Sequence, residues 1–352
     1  MVMDYKAVQI IESQAAEREQ DDRKELSQIL AAASVNADID LLASKLLYDC
    51  DVTINFHPDR FSNNGKLIIK NLLIDGEYHN QHKTGTSNGG LGGNRDSWEN
   101  RLFQGAYHDG VTEMVDRPKY GALNIYNYID GATARFGSCF FTVKPHVVER
   151  CTFAFGDSST DPDVMGTSKQ FCGILKALLQ RVSNTGKLVE KEDFTIQKAV
   201  DYILSMQKDC MNGMGRVLDN ICLETHIHGK LSLFNDVESL YIDEFYIPTE
   251  IYPMVKDIAE RYDIKLYYIP KRQFNISKID DEEWIWKGVP MTRTLADRIN
   301  EKFGGNGMLN TVLIGLASQD SVIHPENWLD IGSAYDLFQN FKKIWHYVAF
   351  WG

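Results

Sequence analysis

Val52-Thr-Ile-Asn-Phe-His-Pro-Asp-Arg60 reads as a short strand that ends on polar chemistry. Pro58 lacks the N–H that a sheet ladder needs, so regular pairing stops there and His57 and Arg60 arrive at the strand's C-terminal end. A histidine and an arginine in that position could grip a sugar hydroxyl and a phosphate. The plainer alternative is a turn carrying an exposed Asp59–Arg60 ion pair.

Outward from this strand, Lys66–Gly76 reads as a helix. It is followed by Lys83-Thr-Gly-Thr-Ser-Asn-Gly-Gly-Leu-Gly-Gly93. Glycines let backbone N–H groups approach a ligand closely, and Thr84, Thr86, Ser87 and Asn88 add hydroxyl and amide partners, with Gly89 and Gly90 completing the cradle. The loop has neither the Gly-Lys-Ser/Thr ending of a Walker loop nor the spacing of a dinucleotide fingerprint. Short strand-like runs then alternate with turns at 122–128, 135–143 and 151–155. Arg117–Asn124 and Ala134–Phe141 read as two strands, candidates to pair, joined by Asn127-Tyr-Ile-Asp-Gly131. Arg135 and Ser138 are candidates to face a pocket, while Phe136, Phe140 and Phe141 read as core.

Before the first strand, residues 15–50 read as helices, with Asn36 and Asp38 as capping residues between them. After residue 165, Phe171, Ile174, Leu175, Leu178, Leu179 and Val182, then Ile196, Val200, Ile203 and Leu204, recur at helical spacing. The expected architecture is α+β: a central mixed or antiparallel sheet, an N-terminal helical segment 1–50, a catalytic part 51–250 with a helical insert 165–212, and an α/β extension 251–352.

Two late strands carry acids. In Ile221-Cys-Leu-Glu-Thr-His-Ile-His-Gly229, the period of two puts Ile221, Leu223, Thr225 and Ile227 on one face and Glu224, His226 and His228 on the other. In Val237-Glu-Ser-Leu-Tyr-Ile-Asp243, the same alternation puts Glu238 on the face of Leu240 and Ile242. A core-side carboxylate is costly without partners or a role, so Glu238 is the first candidate acid and Glu224 the second.

The 352 residues carry a net charge of -12, which argues against a surface given over to nucleic-acid phosphates. The composition, 43% hydrophobic and 24% charged, is that of a globular chain. No apolar run reaches the roughly 20 residues of a membrane span. Six cysteines without a Cys-x-x-Cys pair read as reduced, buried thiols rather than a metal knuckle. The expected compartment is a cytoplasm, with delivery to another cell by a specialised secretion route left open.

His57-Pro-Asp-Arg60, Thr84-Gly-Thr-Ser-Asn-Gly-Gly90, Arg117-Pro-Lys-Tyr-Gly-Ala-Leu, Arg135-Phe-Gly-Ser-Cys and Glu224-x-x-x-His228-Gly229 together resemble a bacterial family of uncharacterised function. The layout also resembles, more distantly, the ADP-ribosyltransferase superfamily. There, a histidine ends the first strand, a helix and a Thr-Gly loop follow, and a late strand carries a glutamate. Here Pro58 replaces the usual small glycine, and the acidic strand comes late because of the insert. Arg60 and Ser87 could instead take the arginine and serine places of the toxin-like branch.

That resemblance implies a split sheet and NAD as substrate. The phosphates and ribose would lie near Arg60 and the 84–90 loop, and His57 would hold the adenine-side ribose. Glu238 or Glu224 would face the sugar whose bond to nicotinamide breaks. The implied products are ADP-ribose on a macromolecular acceptor, expected to be a protein, or free ADP-ribose. A toxin with a neutralising partner, a secreted effector and a housekeeping enzyme all fit. Two other classes stay open: a metal-dependent hydrolase using His57, Asp59, Glu224, His226 and His228, and a non-catalytic module that clasps a nucleotide or peptide.

Overall fold

The computed structural model describes residues 5–86, 93–208, 210–216, 221–278 and 291–352. Its centre is an eight-stranded sheet in the order β5-β4-β6-β2-β1-β3-β7-β8. The strands are β1 (Val52–Phe56), β2 (Lys119–Leu123), β3 (Cys139–Val143), β4 (Cys151–Phe155), β5 (Met165–Thr167), β6 (Leu223–Ile227), β7 (Val237–Asp243) and β8 (Lys265–Ile269). Every neighbouring pair is antiparallel except β7 and β8, so the sheet is mixed.

Helices α1 (Lys6–Ala32), α2 (Ile39–Tyr48), α3 (Ile68–Asp75), α4 (Asn94–Leu102), α5 (Cys172–Thr185), α6 (Ile196–Leu204) and α7 (Ile251–Arg261) surround the sheet. The turn between α1 and α2 is capped by Asp38, whose side chain accepts from the N–H groups of Asp40 and Leu41. The C-terminal stretch adds α8 (Met291–Phe303), α9 (Thr311–Ile323) and α10 (Ala334–Trp351), with a small ribbon of β9 (Gln273–Asn275) and β10 (Met308–Asn310). A Ser333/Asp336 capping box starts α10. Among the described residues no helix is long and apolar enough to cross a membrane.

One face of the sheet is aliphatic and aromatic. Val52, Ile54, Leu123, Phe153, Leu223 and Ile227 pack under α2, α5 and α6, and farther along Phe56, Phe141, Leu240 and Ile242 pack under α3 and α7. The helical prelude and the insert thus share one core, with Leu26 and Leu30 of α1 and Leu42 and Leu46 of α2 meeting Leu175, Leu178 and Val200. Residues 251–352 do not stand apart from the rest: β7, α7 and β8 form a continuous parallel crossover, so a boundary at 250 falls inside one packing unit.

The structure corrects three local expectations. β2 and β3 are not a pair, because β1 lies between them and bonds to both. The chain after Leu123 leaves the sheet, crosses its polar side and makes a 3₁₀ turn at Ala134–Phe136 before β3 begins at Cys139. That turn breaks the strand alternation and puts Phe136 at the surface, 42% exposed, while Phe140 and Phe141 are fully buried. Gly137 is required here: a Cβ would stand 2.2 Å from the Phe56 backbone.

The third correction concerns Glu238. Ser239 pairs with Thr142 and Val237 with Val143, so two steps along β7 meet one along β3 and Glu238 is the extra residue of a β-bulge. Val237 takes the apolar face instead, and the Glu238 carboxylate turns outward to Lys265 at 3.2 Å, its side chain 32% exposed.

Candidate functional site

The opposite face of the sheet is polar and nevertheless buried. Pairing register places Thr53, Asn55 and His57 of the first strand segment on the same side as Tyr120 and Ala122, Thr152 and Ala154, and Glu224 and His226. Burying so many polar groups is tolerated only where each is hydrogen-bonded, and the partners are traceable.

Glu224 is the end of a chain of contacts. Its Oε1 accepts from the Ser158 backbone N–H at 3.2 Å and lies 2.7 Å from His226 Nε2. His226 Nδ1 is 3.0 Å from Thr152 Oγ1, which is 2.9 Å from His228 Nε2. His228 Nδ1 meets the Tyr107 hydroxyl, and both histidines are fully buried beneath Phe103 and Tyr107. Burial, then the charges of His226, Lys119 and Arg150, keep His228 well below its ordinary pKa. One order of donors satisfies all four contacts. His226 Nε2–H donates to Glu224, Thr152 donates to His226, His228 Nε2–H donates to Thr152, and Tyr107 donates to His228. Every link points its positive end toward the carboxylate, an arrangement in which successive bonds polarise one another.

Cations gather on the same side. The Arg95 guanidinium, on α4, lies 4.1 Å from the centre of the Tyr120 ring and 5.1 Å from that of Trp98, and reaches Ser158 Oγ at 3.4 Å. Burial opposes its charge, but Tyr120, Glu224 and Glu99 around it leave its pKa raised. Arg135, 4% exposed, pairs with Asp157 at 2.9 Å and lies over Phe136. Asp157 and Ser158 are consecutive, so one turn after β4 connects Arg135 to Glu224. Beside Arg135 and Leu223 opens a small hollow, lined also by Tyr126, Tyr128 and Glu190. It borders this group without enclosing Glu224.

α4 is held by a buried acid. Glu99, wholly inaccessible, accepts from His82 Nε2 at 3.1 Å, Arg117 at 3.1 Å and the Tyr120 hydroxyl at 3.0 Å. These bonds fasten the helix, and with it Arg95, to β2.

His57 stands at the far end of the same face. Its Nδ1 is 3.4 Å from Ser138 Oγ, and its ring packs edge-on against Trp345 of α10 at 4.9 Å. Ser138 continues to the Tyr246 hydroxyl at 3.2 Å and on to Thr311 at 2.8 Å. Burial, then Arg60 and His346, hold His57 well below its ordinary pKa, so it is neutral. Asp59 is 3% exposed and packs on the α9 backbone, where a Cβ on Gly315 would collide with its carboxylate. The Asp59–Arg60 contact of 3.4 Å is therefore largely buried, not an exposed pair. Arg60 turns to this partner.

Thr84 and Thr86 share a hydroxyl contact of 3.0 Å, and Thr84 O accepts from Asn63 N at 2.9 Å, which fixes residues 84–86 beside the turn after His57-Pro-Asp-Arg60. Gly85 has φ 68° and its missing Cβ leaves room for Asn63. Ser87, Asn88, Gly89 and Gly90 lie outside the described residues.

Taking β1, β2 and β6 as two strand spacings of ~4.8 Å and Thr53 to His57 as four rises of ~3.4 Å, His57 and Glu224 are roughly 17 Å apart on one face. His57, Asp59, Glu224, His226 and His228 therefore do not converge on one point. Among the described residues no three His, Cys, Asp or Glu side chains are grouped to hold a metal ion. Arg135 and Glu224 come together through Asp157 and Ser158, His57 and Ser138 form a second group, and Glu238 belongs to neither. Sequence reading missed Arg95, Tyr120, Asp157, Ser158 and Trp345. Arg95 alone carried a signal, since it follows directly on the glycine-rich loop.

The chain belongs to the family described as Protein of unknown function (DUF3626), whose model matches residues 51–350. The match starts at β1 and runs through α10, so it contains both ends of the polar face. No curated protein matches the chain.

Proposed function

We propose that this member of the DUF3626 family consumes NAD, breaking the bond between nicotinamide and ribose and passing ADP-ribose to a macromolecular acceptor or to water. The observation that carries the reading is Glu224, a buried carboxylate held by contacts from the Ser158 N–H and His226 while its side chain retains 9% exposure. Cleavage leaves oxocarbenium-like positive charge on the ribose carbon, and a preorganised carboxylate stabilises such charge. In this reaction the C1′–N bond breaks, nicotinamide departs with the bonding pair, and the acceptor oxygen or nitrogen, or water, bonds to C1′ and releases a proton to solvent.

The dimensions of the face fit the same reading. His57, neutral and some distance from Glu224, suits a ribose hydroxyl at the other end of an extended dinucleotide. The ADP-ribosyltransferase resemblance is thereby transferred to Glu224 as the working acid, because Glu238 is engaged by Lys265 at the sheet's outer strands. A protein acceptor suits the net charge of -12 better than a nucleic acid does.

The test is nicotinamide released from NAD by the purified protein, with cell extract as the acceptor source. Glu224→Gln should lower the rate by about 10²–10³-fold with ligand affinity nearly kept, the loss typical of an electrostatic stabiliser. Glu238→Gln should stay within about twofold, as removal of an outlying ion pair does. Absence of nicotinamide release by the unaltered protein would sink the proposal. A rate lost in Glu238→Gln and kept in Glu224→Gln would move the acid to β7.

A further inference from the structure

We infer that Lys342, Arg135 and Arg95 form a subsite for a phosphate-class anion, and that in the proposed reaction it takes the pyrophosphate of the dinucleotide. The second half of this inference rests on the NAD reading; the first half does not. It also shifts the phosphates away from the Arg60 turn, where the sequence pattern had put them.

The C-terminal helix builds the subsite. Trp345 is fixed on two sides: its indole Nε1 donates to Ala134 O at 2.9 Å, and its ring meets His57. Lys342 lies three residues earlier on α10, hence on the same side of the helix. That side faces the 3₁₀ turn in which Arg135 follows Ala134. Arg95 approaches from α4, across the Asp157–Ser158 turn.

Two observations mark this group as waiting for an anion. The first is that Arg95 Nε is buried without a hydrogen-bond partner. Such a desolvated, unbonded donor ordinarily selects for a partner. The second is that Lys342, half-buried, makes no hydrogen bond or ion pair among the described residues. The three carboxylates at hand are already engaged, Glu99 by His82, Arg117 and Tyr120. Asp157 binds Arg135 and the Ser159 N–H, and Glu224 binds Ser158 and His226. Burial, then Arg135, with Arg95 adding to it and Asp157 opposing, depress the pKa of Lys342. Lys342 and Arg95 are left without an ion-pair partner among the described residues, a positive excess in a low-dielectric place, which a multiply charged, multi-oxygen ligand neutralises. Arg60 offers no such excess, since Asp59 is beside it.

The probe is inorganic pyrophosphate, titrated calorimetrically into the full chain at low salt. Variants are Lys342→Met, the charge-keeping Lys342→Arg, and Lys169→Met, which removes a surface cation 72% exposed. Thermal unfolding checks that each is folded. Lys342→Met should weaken pyrophosphate by about tenfold or more, the value of a lost charge-assisted contact, while Lys342→Arg and Lys169→Met stay within a few-fold. No pyrophosphate binding by the unaltered chain, or equal weakening in Lys342→Met and Lys169→Met, overturns the subsite. Binding that depends on Lys342 in a protein that releases no nicotinamide upholds the subsite and removes the NAD assignment.

Discussion

The two faces of the central sheet are both buried, yet they are built on opposite terms. On the apolar face, Ile54, Phe153, Leu223 and Ile227 meet the helices through dispersion and water exclusion alone, and neighbouring side chains of similar volume could replace them. On the polar face, His226, Thr152 and His228 are equally inaccessible and Glu224 is buried, but each holds its place through a bond that only certain atoms can make. A core needs volume. A buried polar row also needs direction, and its expense in desolvation makes sense where directed charge is used.

Breaking the apolar face should show the largest effect on stability. Leu178→Ala, at a fully buried position of α5, should cost about 2–5 kcal/mol in urea unfolding. Its nicotinamide release per folded molecule should be unchanged. A loss of rate without a loss of stability would mean the two faces are coupled.

The polar face alone should make stability depend on pH. Asp243 lies on it, and burial raises its carboxyl to about 7 despite the Phe245 N–H and Arg272. The folded state then holds a proton that the unfolded chain has released. The stabilisation is complete below about pH 4 and is lost as pH rises through 7, on the order of a few kcal/mol. Asp243→Asn should keep the Phe245 contact and remove this slope, so that its unfolding midpoint gains on the unaltered protein between pH 4 and 7. Parallel pH profiles for the two would refute the assignment.

A smaller effect should follow from severing the row without changing its volume. Thr152→Val removes the hydroxyl between two buried imidazoles and should cost about 1–3 kcal/mol. If the row orients Glu224, nicotinamide release should fall while the affinity for NAD is kept. A purely structural row would lower the melting temperature and leave the rate of the folded fraction intact. The smallest effect belongs to the outer strands: Glu238→Ala should change unfolding by under about 1 kcal/mol, because its pair with Lys265 is partly solvated. A larger cost would show that the bulge at Glu238 depends on the ion pair.

Much of this contrast is written in the chain. The alternation in Leu223–His228 told in advance which residues share a face, since side-chain direction in a strand follows from the backbone of that strand alone. The same rule failed at Glu238, where one extra residue in β7 reversed the phase, and a bulge depends on the partner strand. Likewise Arg135–Phe136 read as strand, but the crossing of Gly137 against Phe56 forces a turn that no local propensity announces.

The sequence by itself determined the α+β class, the strand carrying His57 and the polar row beginning at Glu224, because these rest on periods of two and 3.6 within short windows. Tertiary structure decided that β1 separates β2 from β3, that Glu238 faces Lys265, and that Lys342 joins Arg95 and Arg135 from distant parts of the chain. Those outcomes depend on strand register and helix docking, where burial energy is summed over residues far apart in sequence, and no local pattern contains that sum.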